Sequence, residues 1–165
     1  MTVRLTDQDG IGSFERIVTS TTVSELNGDT RFVEEVDAKN GALLTRTETI
    51  VNDNGLITEV RDDANGDLSA DIVSLSTTTL NADGSTTVDV EVWDVTGGGS
   101  VVRSSETTTT SDNARSISTL SDVYGDDVDD MSMLRIVGDD GWVAITETEF
   151  DTNGTKLSQF ITETS

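Results

Sequence analysis

The sequence predicts an all-β fold: an antiparallel up-and-down meander of long hairpins, built from a degenerate repeat of about 28 residues, in a curled or stacked sheet. Three observations predict it. Turn dipeptides recur at near-even spacing, the segments between them are rich in Thr and Val, and the 165 residues contain no Pro. No segment sustains a 3.6-residue apolar period, so nothing argues for a long helix.

The turns come in two sets. Gly28, Gly55, Gly84, Asn113 and Gly141 form one; Gly41, Gly66, Gly98, Gly125 and Gly154 form the other. Asn-Gly and Asp-Gly are preferred centres of two-residue hairpins, which need positive φ at both central residues. Thr-rich runs such as Thr45–Ile50 and Thr107–Thr110 precede the first set. Before the second set an apolar residue often precedes Asp: Val36-Asp37, Trp93-Asp94, Phe150-Asp151. One outgoing and one returning strand per unit follows, with ten turns implying about eleven strands of roughly 9 to 11 residues. Alternation supports this: Val88, Val90 and Val92 share one face, Asp89 and Glu91 the other. The region Asp122 to Met133 is the least strand-like: its acidic run reads as a long loop, and Met131-Ser132-Met133-Leu134 as the start of a strand. Residues 1–18 read as an N-terminal segment and 19–165 as the β-repeat domain. Gly10-Ile11-Gly12 and Gly97-Gly98-Gly99 precede no helical pattern, so they read as loops or bulges rather than phosphate cradles.

Composition limits the chemistry. With no Cys and no His, disulfides, zinc fingers, thiol nucleophiles and a Ser-His-Asp triad are excluded. A net charge of -22 repels phosphate backbones, so nucleic acid is not an expected partner. No apolar run is long enough for a helical membrane span. Hydrophobic content of 33% with this charge is a signature of disorder. Absence of Pro, 27 Thr and apolar residues in patterned segments outweigh it. The start, Met1 to Asp7, is polar and carries no secretory signal.

Asp63, Asn65, Asp67, Ser69 and Asp71 place oxygen side chains at alternate positions, as in the first part of an EF-hand loop, with the Asp and Asn as the candidate ligands. The Gly and Glu such a loop needs later are replaced by Leu68 and Ser74. A turn whose Asx side chains bond their own backbone is the plainer reading, with a weak calcium site as the sharper one. Asp126, Asp127, Asp129 and Asp130 form the densest acidic cluster, a solvated loop or a gathered cation site. Trp93 and Trp142 are core residues or, on an open face, platforms for sugar rings. Paired carboxylates are the main catalytic route left, but with 32 acids an accidental pair is unavoidable, so the chain reads as no enzyme.

Segments such as Thr77–Thr87, Asp62–Asp67 and Phe150-Asp151-Thr152-Asn153-Gly154 resemble the Thr/Asp/Gly-rich repeats of large secreted bacterial RTX proteins (haemolysin-type calcium-binding). More distantly, the units are similar to YD/RHS hairpin repeats, without the characteristic Tyr-Asp, since Gly125 follows Tyr124. The resemblance covers roughly residues 19 to 160 and lacks the calcium-binding nonapeptide of the β-roll. It implies type I secretion and a structural or adhesive role outside the cell. The expected function is therefore an extracellular spacer or assembly-forming module, self-associating through sheet edges or faces. A carbohydrate- or receptor-binding adhesin module is the alternative, and a carboxylate glycoside hydrolase the remote one.

Overall fold

The structure, a computed structural model, describes residues 1–6 and 14–165. Gly10-Ile11-Gly12 lies outside the described residues. Among the described residues, twelve antiparallel strands form one meandering sheet in sequence order: β1 (Thr2–Thr6), β2 (Arg16–Ser24), β3 (Thr30–Ala38), β4 (Leu43–Val51), β5 (Ile57–Asp63), β6 (Ile72–Leu80), β7 (Thr86–Asp94), β8 (Val101–Thr110), β9 (Ser116–Asp122), β10 (Met131–Val137), β11 (Val143–Phe150) and β12 (Lys156–Thr164). The order is linear, with β1 and β12 at its ends, so the sheet does not close as a barrel. Among the described residues the only helical element is a 3-10 turn at Thr96–Gly98, and no helix is long and apolar enough to cross a membrane.

The all-β meander is as the sequence predicts, with two differences. The twelfth strand is β1, which pairs with β2 from Thr2↔Ser20 to Thr6↔Arg16. The boundary placed at residue 18 also falls inside β2.

The second difference is the turn type. At the first tight turn Gly28 N donates to Glu25 O at 3.1 Å and Glu25 N donates to Asp29 O at 2.8 Å. The same pair of bonds recurs at Ala38–Ala42, Asn81–Ser85, Gly138–Trp142 and Asp151–Thr155. This is a three-residue loop, a type I turn closed by one left-handed residue, not a two-residue loop with two. Gly28, Gly41, Gly55 and Gly84 have positive φ; the Asn or Asp before each does not. That residue instead accepts a backbone bond two residues on: Asn27 Oδ1 from Asp29 N, Asn40 Oδ1 from Ala42 N, Asn54 Oδ1 from Leu56 N, Asp83 Oδ1 from Ser85 N. The side chain fixes the type I turn and leaves only the glycine in the left-handed region.

Ala114 occupies the glycine position of its turn at φ 56°. A left-handed conformation costs an L-residue roughly 1–2 kcal/mol. Ala114→Gly is therefore expected to stabilise the chain by about 1 kcal/mol, less the extra unfolded-state entropy of glycine. Denaturant melts check this; a destabilised variant would contradict the turn assignment.

Tertiary contacts divide the chain into two units, Met1–Leu75 with Asp94–Ser100, and Ser76–Trp93 with Val101–Ser165. In the first, β1 to β5 alternate cleanly. One face carries Ile17, Thr19 and Val23 of β2, Arg31, Val33 and Glu35 of β3, Arg46, Glu48 and Ile50 of β4, and Glu59, Arg61 and Asp63 of β5. The opposite face carries Val18, Phe32, Val36, Val51 and Val60 among Thr and Ser, with Glu34 and Asp62 beside them. In the second unit, Thr108 and Thr119 join hydroxyls across β8 and β9 at 3.0 Å, and Thr87 and Thr109 join at 3.1 Å. Such Thr pairs are a unit of cross-strand stabilisation. Among the described residues no hydrophobic side chain is buried. The five buried residues are Glu48, Asp63, Asp122, Asp130 and Thr148. Backbone ladders, cross-strand pairs and buried polar clusters thus hold what a hydrophobic core holds in most domains.

Candidate functional site: buried aspartates that clasp two wide loops

Two of the ten predicted turns are wide loops rather than tight turns. Residues 64–71 and 123–130 are eight-residue loops, and each closes on an aspartate at the end of the preceding strand. Asp63, 5% exposed, accepts from Asn65 N at 3.1 Å and Gly66 N at 2.6 Å through Oδ1, and from Leu68 N at 2.8 Å through Oδ2. Asp122, 3% exposed, accepts from Tyr124 N, Gly125 N and Asp126 N through Oδ1 and from Asp127 N at 2.9 Å through Oδ2. A second aspartate ties each loop's far end. Asp71 Oδ2 accepts from Ala64 N at 2.8 Å, and Asp130 Oδ2 from Val123 N at 2.7 Å.

The two loops match residue for residue at an offset of 59. Gly66 and Gly125 are left-handed, as are Leu68 and Asp127. A Cβ on Gly66 would lie 2.3 Å from Leu43 O, and one on Gly125 would lie 2.4 Å from Val102 O. Both glycines therefore rest directly on the start of the strand before. The shared pattern is Asp-x-x-Gly-x4-Asp. The sequence carries a third copy, Asp7-x-x-Gly10-x4-Glu15. At its described end, Glu15 N donates to Thr6 O as Asp71 N does to Asp62 O and Asp130 N to Ser121 O. The true repeat thus spans four strands, β1–β4, β5–β8 and β9–β12, twice the predicted length.

Burial alone raises the pKa of the Asp63 carboxyl, but the N–H groups of Leu68, Gly66, Asn65 and Asp67 outweigh it and hold the value below normal. A lowered carboxyl stabilises the fold above its unfolded pKa of about 3.9 and loses that contribution as pH falls through the lower folded value. The stability gap between the wild type and Asp63→Asn is therefore expected to be constant from pH 7 to 5 and to shrink below about pH 4. A gap that widened in acid would contradict the clasp.

The residues singled out as cation ligands lie in these loops. Asp67 Oδ1 accepts from Ser69 N, Asn65 Oδ1 from Asp67 N, and Asn65 Nδ2 donates to Asp71. Asp126 Oδ1 accepts from Val128 N; Asp129 is exposed. Among the described residues, no group of three or more acidic side chains is arranged to hold a metal ion. Each loop's oxygens are turned largely toward its own backbone.

A cleft of about 470 Å³ lies beside the first clasp, lined by Arg46, Glu48, Glu59, Arg61, Asp63 and the loop residues Leu68 and Ala70, among others. Its carboxylates are all engaged. Glu48, 4% exposed, takes Arg31 at 2.8 Å and Arg46 at 3.3 Å. Arg31 also pairs with Glu25 at 2.8 Å, Arg46 with Glu35 at 3.3 Å, and Arg61 with Glu59. The Glu59 bond holds the Arg61 guanidinium above its ordinary pKa. At the equivalent positions of β8 and β9 stand Ser105, Thr107, Ser118, Leu120 and Asp122. Only the aspartate recurs, so the clasp belongs to the repeat and the Arg–Glu cluster to one copy of it.

The two tryptophans are half-buried. The Trp142 indole lies against Gly138, where a Cβ would stand 2.0 Å from Nε1. Trp142 also borders a cleft of about 300 Å³ with Glu163, Thr164 and Ser165. The chain matches no family model, no curated protein and no solved structure.

Proposed function

We propose that the chain is a non-catalytic structural module of an extracellular protein, a β-repeat spacer or assembly-forming segment. The observation that carries this reading is the recurrence of the buried-aspartate clasp: the side chains best placed for chemistry are spent on holding the repeat. The absent Cys and the resemblance to secreted RTX repeats support the compartment and type I export. A broad screen of glycoside substrates tests the non-catalytic part. No turnover is expected; turnover lost on removing two acids would overturn it.

Calcium enters this reading as a weak stabiliser held by exposed loop acids such as Asp67, Asp126 and Asp129. Binding to the native state at ten times Kd adds about 1.4 kcal/mol. Melts in millimolar calcium are expected to show a small rise in Tm that a chelator reverses, and an unchanged Tm removes the cation. The adhesin alternative rests on the cleft beside Trp142. A glycan array with Trp142→Ala as control decides it, and binding that this substitution abolishes would favour it over the spacer.

A further inference from the structure

The four-strand repeat assigns a phase to the two ends of the sheet. β1 stands where β5 and β9 stand, because Thr6, Asp62 and Ser121 accept the same loop-closing bond. β12 stands where β4 and β8 stand. The register shift at Val36/Asp37 against β4 recurs at Glu149/Phe150 against β12, so Thr45 corresponds to Ser158 and Glu48 to Ile161. Within the chain, every strand of the β4 type is followed by one of the β5 type. β4 pairs with β5 through Glu48↔Arg61, and β8 with β9 through Thr107↔Leu120.

We propose that β12 of one copy of this chain pairs antiparallel with β1 of a second copy, in that same register. This rests on the structural-module reading and specifies its partner. Carrying the internal register across sets Phe160 opposite Thr6, Ile161 opposite Leu5, Thr162 opposite Arg4, Glu163 opposite Val3 and Thr164 opposite Thr2. The slot where Glu48 and Arg61, opposite in charge, face each other in register is then held by two apolar residues, Ile161 and Leu5. Each is exposed on its own edge, at 62% and 47%. Phe160 and Val3 are exposed as well, at 62% and 53%. Of the 32 acidic residues, only Glu163 lies on these two strands, so the seam is nearly free of the repulsion expected between chains of charge -22. An edge strand with free backbone groups and apolar side chains is a template for strand addition. Unlike edges that meet head to tail do not close a dimer but extend it.

Sedimentation velocity on the intact chain tests this, with protein from about 1 μM to about 1 mM so that mass action is visible. Salt is held at ~0.15 M, where charges more than about 8 Å apart are screened. The weight-average mass is expected to rise with concentration beyond that of a dimer. Leu5→Arg alone and Ile161→Glu alone are each expected to stay monomeric. The double variant Leu5→Arg/Ile161→Glu, which sets opposite charges across the seam in the register of Glu48 and Arg61, is expected to assemble again, as is an equimolar mixture of the two singles. Circular dichroism of each variant confirms that strand content is kept. A wild type monomeric at every concentration overturns the seam while leaving a non-assembling spacer intact. Assembly that neither single substitution changes also overturns it. The structural-module reading itself fails only in the turnover and glycan experiments, which do not depend on assembly.

Discussion

Asp122→Ala is expected to cost on the order of 3–5 kcal/mol, the penalty usual for removing one side of a buried, charge-assisted cluster. Four backbone N–H groups, from Tyr124, Gly125, Asp126 and Asp127, lose their acceptor together. The loop either pays for four unsatisfied donors or opens to water and gives up its packing on Val102. Asp63→Ala is expected to behave alike, with three N–H groups released. For a chain of this length about 1 kcal/mol moves Tm by 2–4 °C, so either variant should melt roughly 10 °C lower. Asp126→Ala and Asp129→Ala, which touch only the outside of the loop, serve as controls and are expected to shift Tm little. If the controls and the clasp variants melted together, these aspartates would have no special role.

The second large effect is steric. Gly66→Ala puts a methyl group 2.3 Å from Leu43 O and 2.7 Å from its carbonyl carbon, well inside the van der Waals limit. Gly125→Ala does the same against Val102, at 2.4 Å and 2.7 Å. Both residues are also left-handed, at φ 76° and 69°. Backbone carbonyls cannot rotate aside as a side chain can, so the loop must lift off the strand. A loss of about 3–4 kcal/mol is expected, of which roughly 1–2 is the left-handed strain alone. Gly41 and Gly55 separate the two contributions: both have positive φ, but a Cβ there meets nothing within 4 Å. Gly41→Ala and Gly55→Ala should therefore cost only the strain. Equal losses at all four sites would remove the close approach from the account.

The strands were legible in the sequence because their signals are local. Val88, Val90 and Val92 alternate with acids, and every tight turn except the one at Asn113-Ala114 carries its own Gly. What the repeat does was harder to read. Asn65-Gly66 looks like any other Asn-Gly pair, and its difference lies in Asp63, which sits three residues earlier and acts on N–H groups up to Leu68. Comparison of 63–71 with 122–130 would have exposed the Asp-x-x-Gly-x4-Asp pattern, since among the intervening residues only Asp67 and Asp126 agree while those three recur. The alternating oxygens at 63, 65, 67 and 71 suggested a cation loop because a calcium ligand and an N–H acceptor are the same chemical group. Which of the two it becomes depends on where the backbone turns. Glu48 gave no warning in the sequence, as its burial arises from Arg31 and Arg46 arriving on neighbouring strands.

Each wide loop is held shut by a buried aspartate within a continuous antiparallel meander. Amide hydrogen exchange on the purified chain tests it most directly. Gly66, Leu68, Gly125 and Asp127 lie outside strands, so loop amides there would ordinarily exchange fast. Their N–H groups are predicted to exchange as slowly as those of the flanking strands, and Asp63→Ala is predicted to release Gly66 and Leu68 first. Fast exchange at all four positions in the wild type, with the neighbouring strands protected, would contradict the clasp.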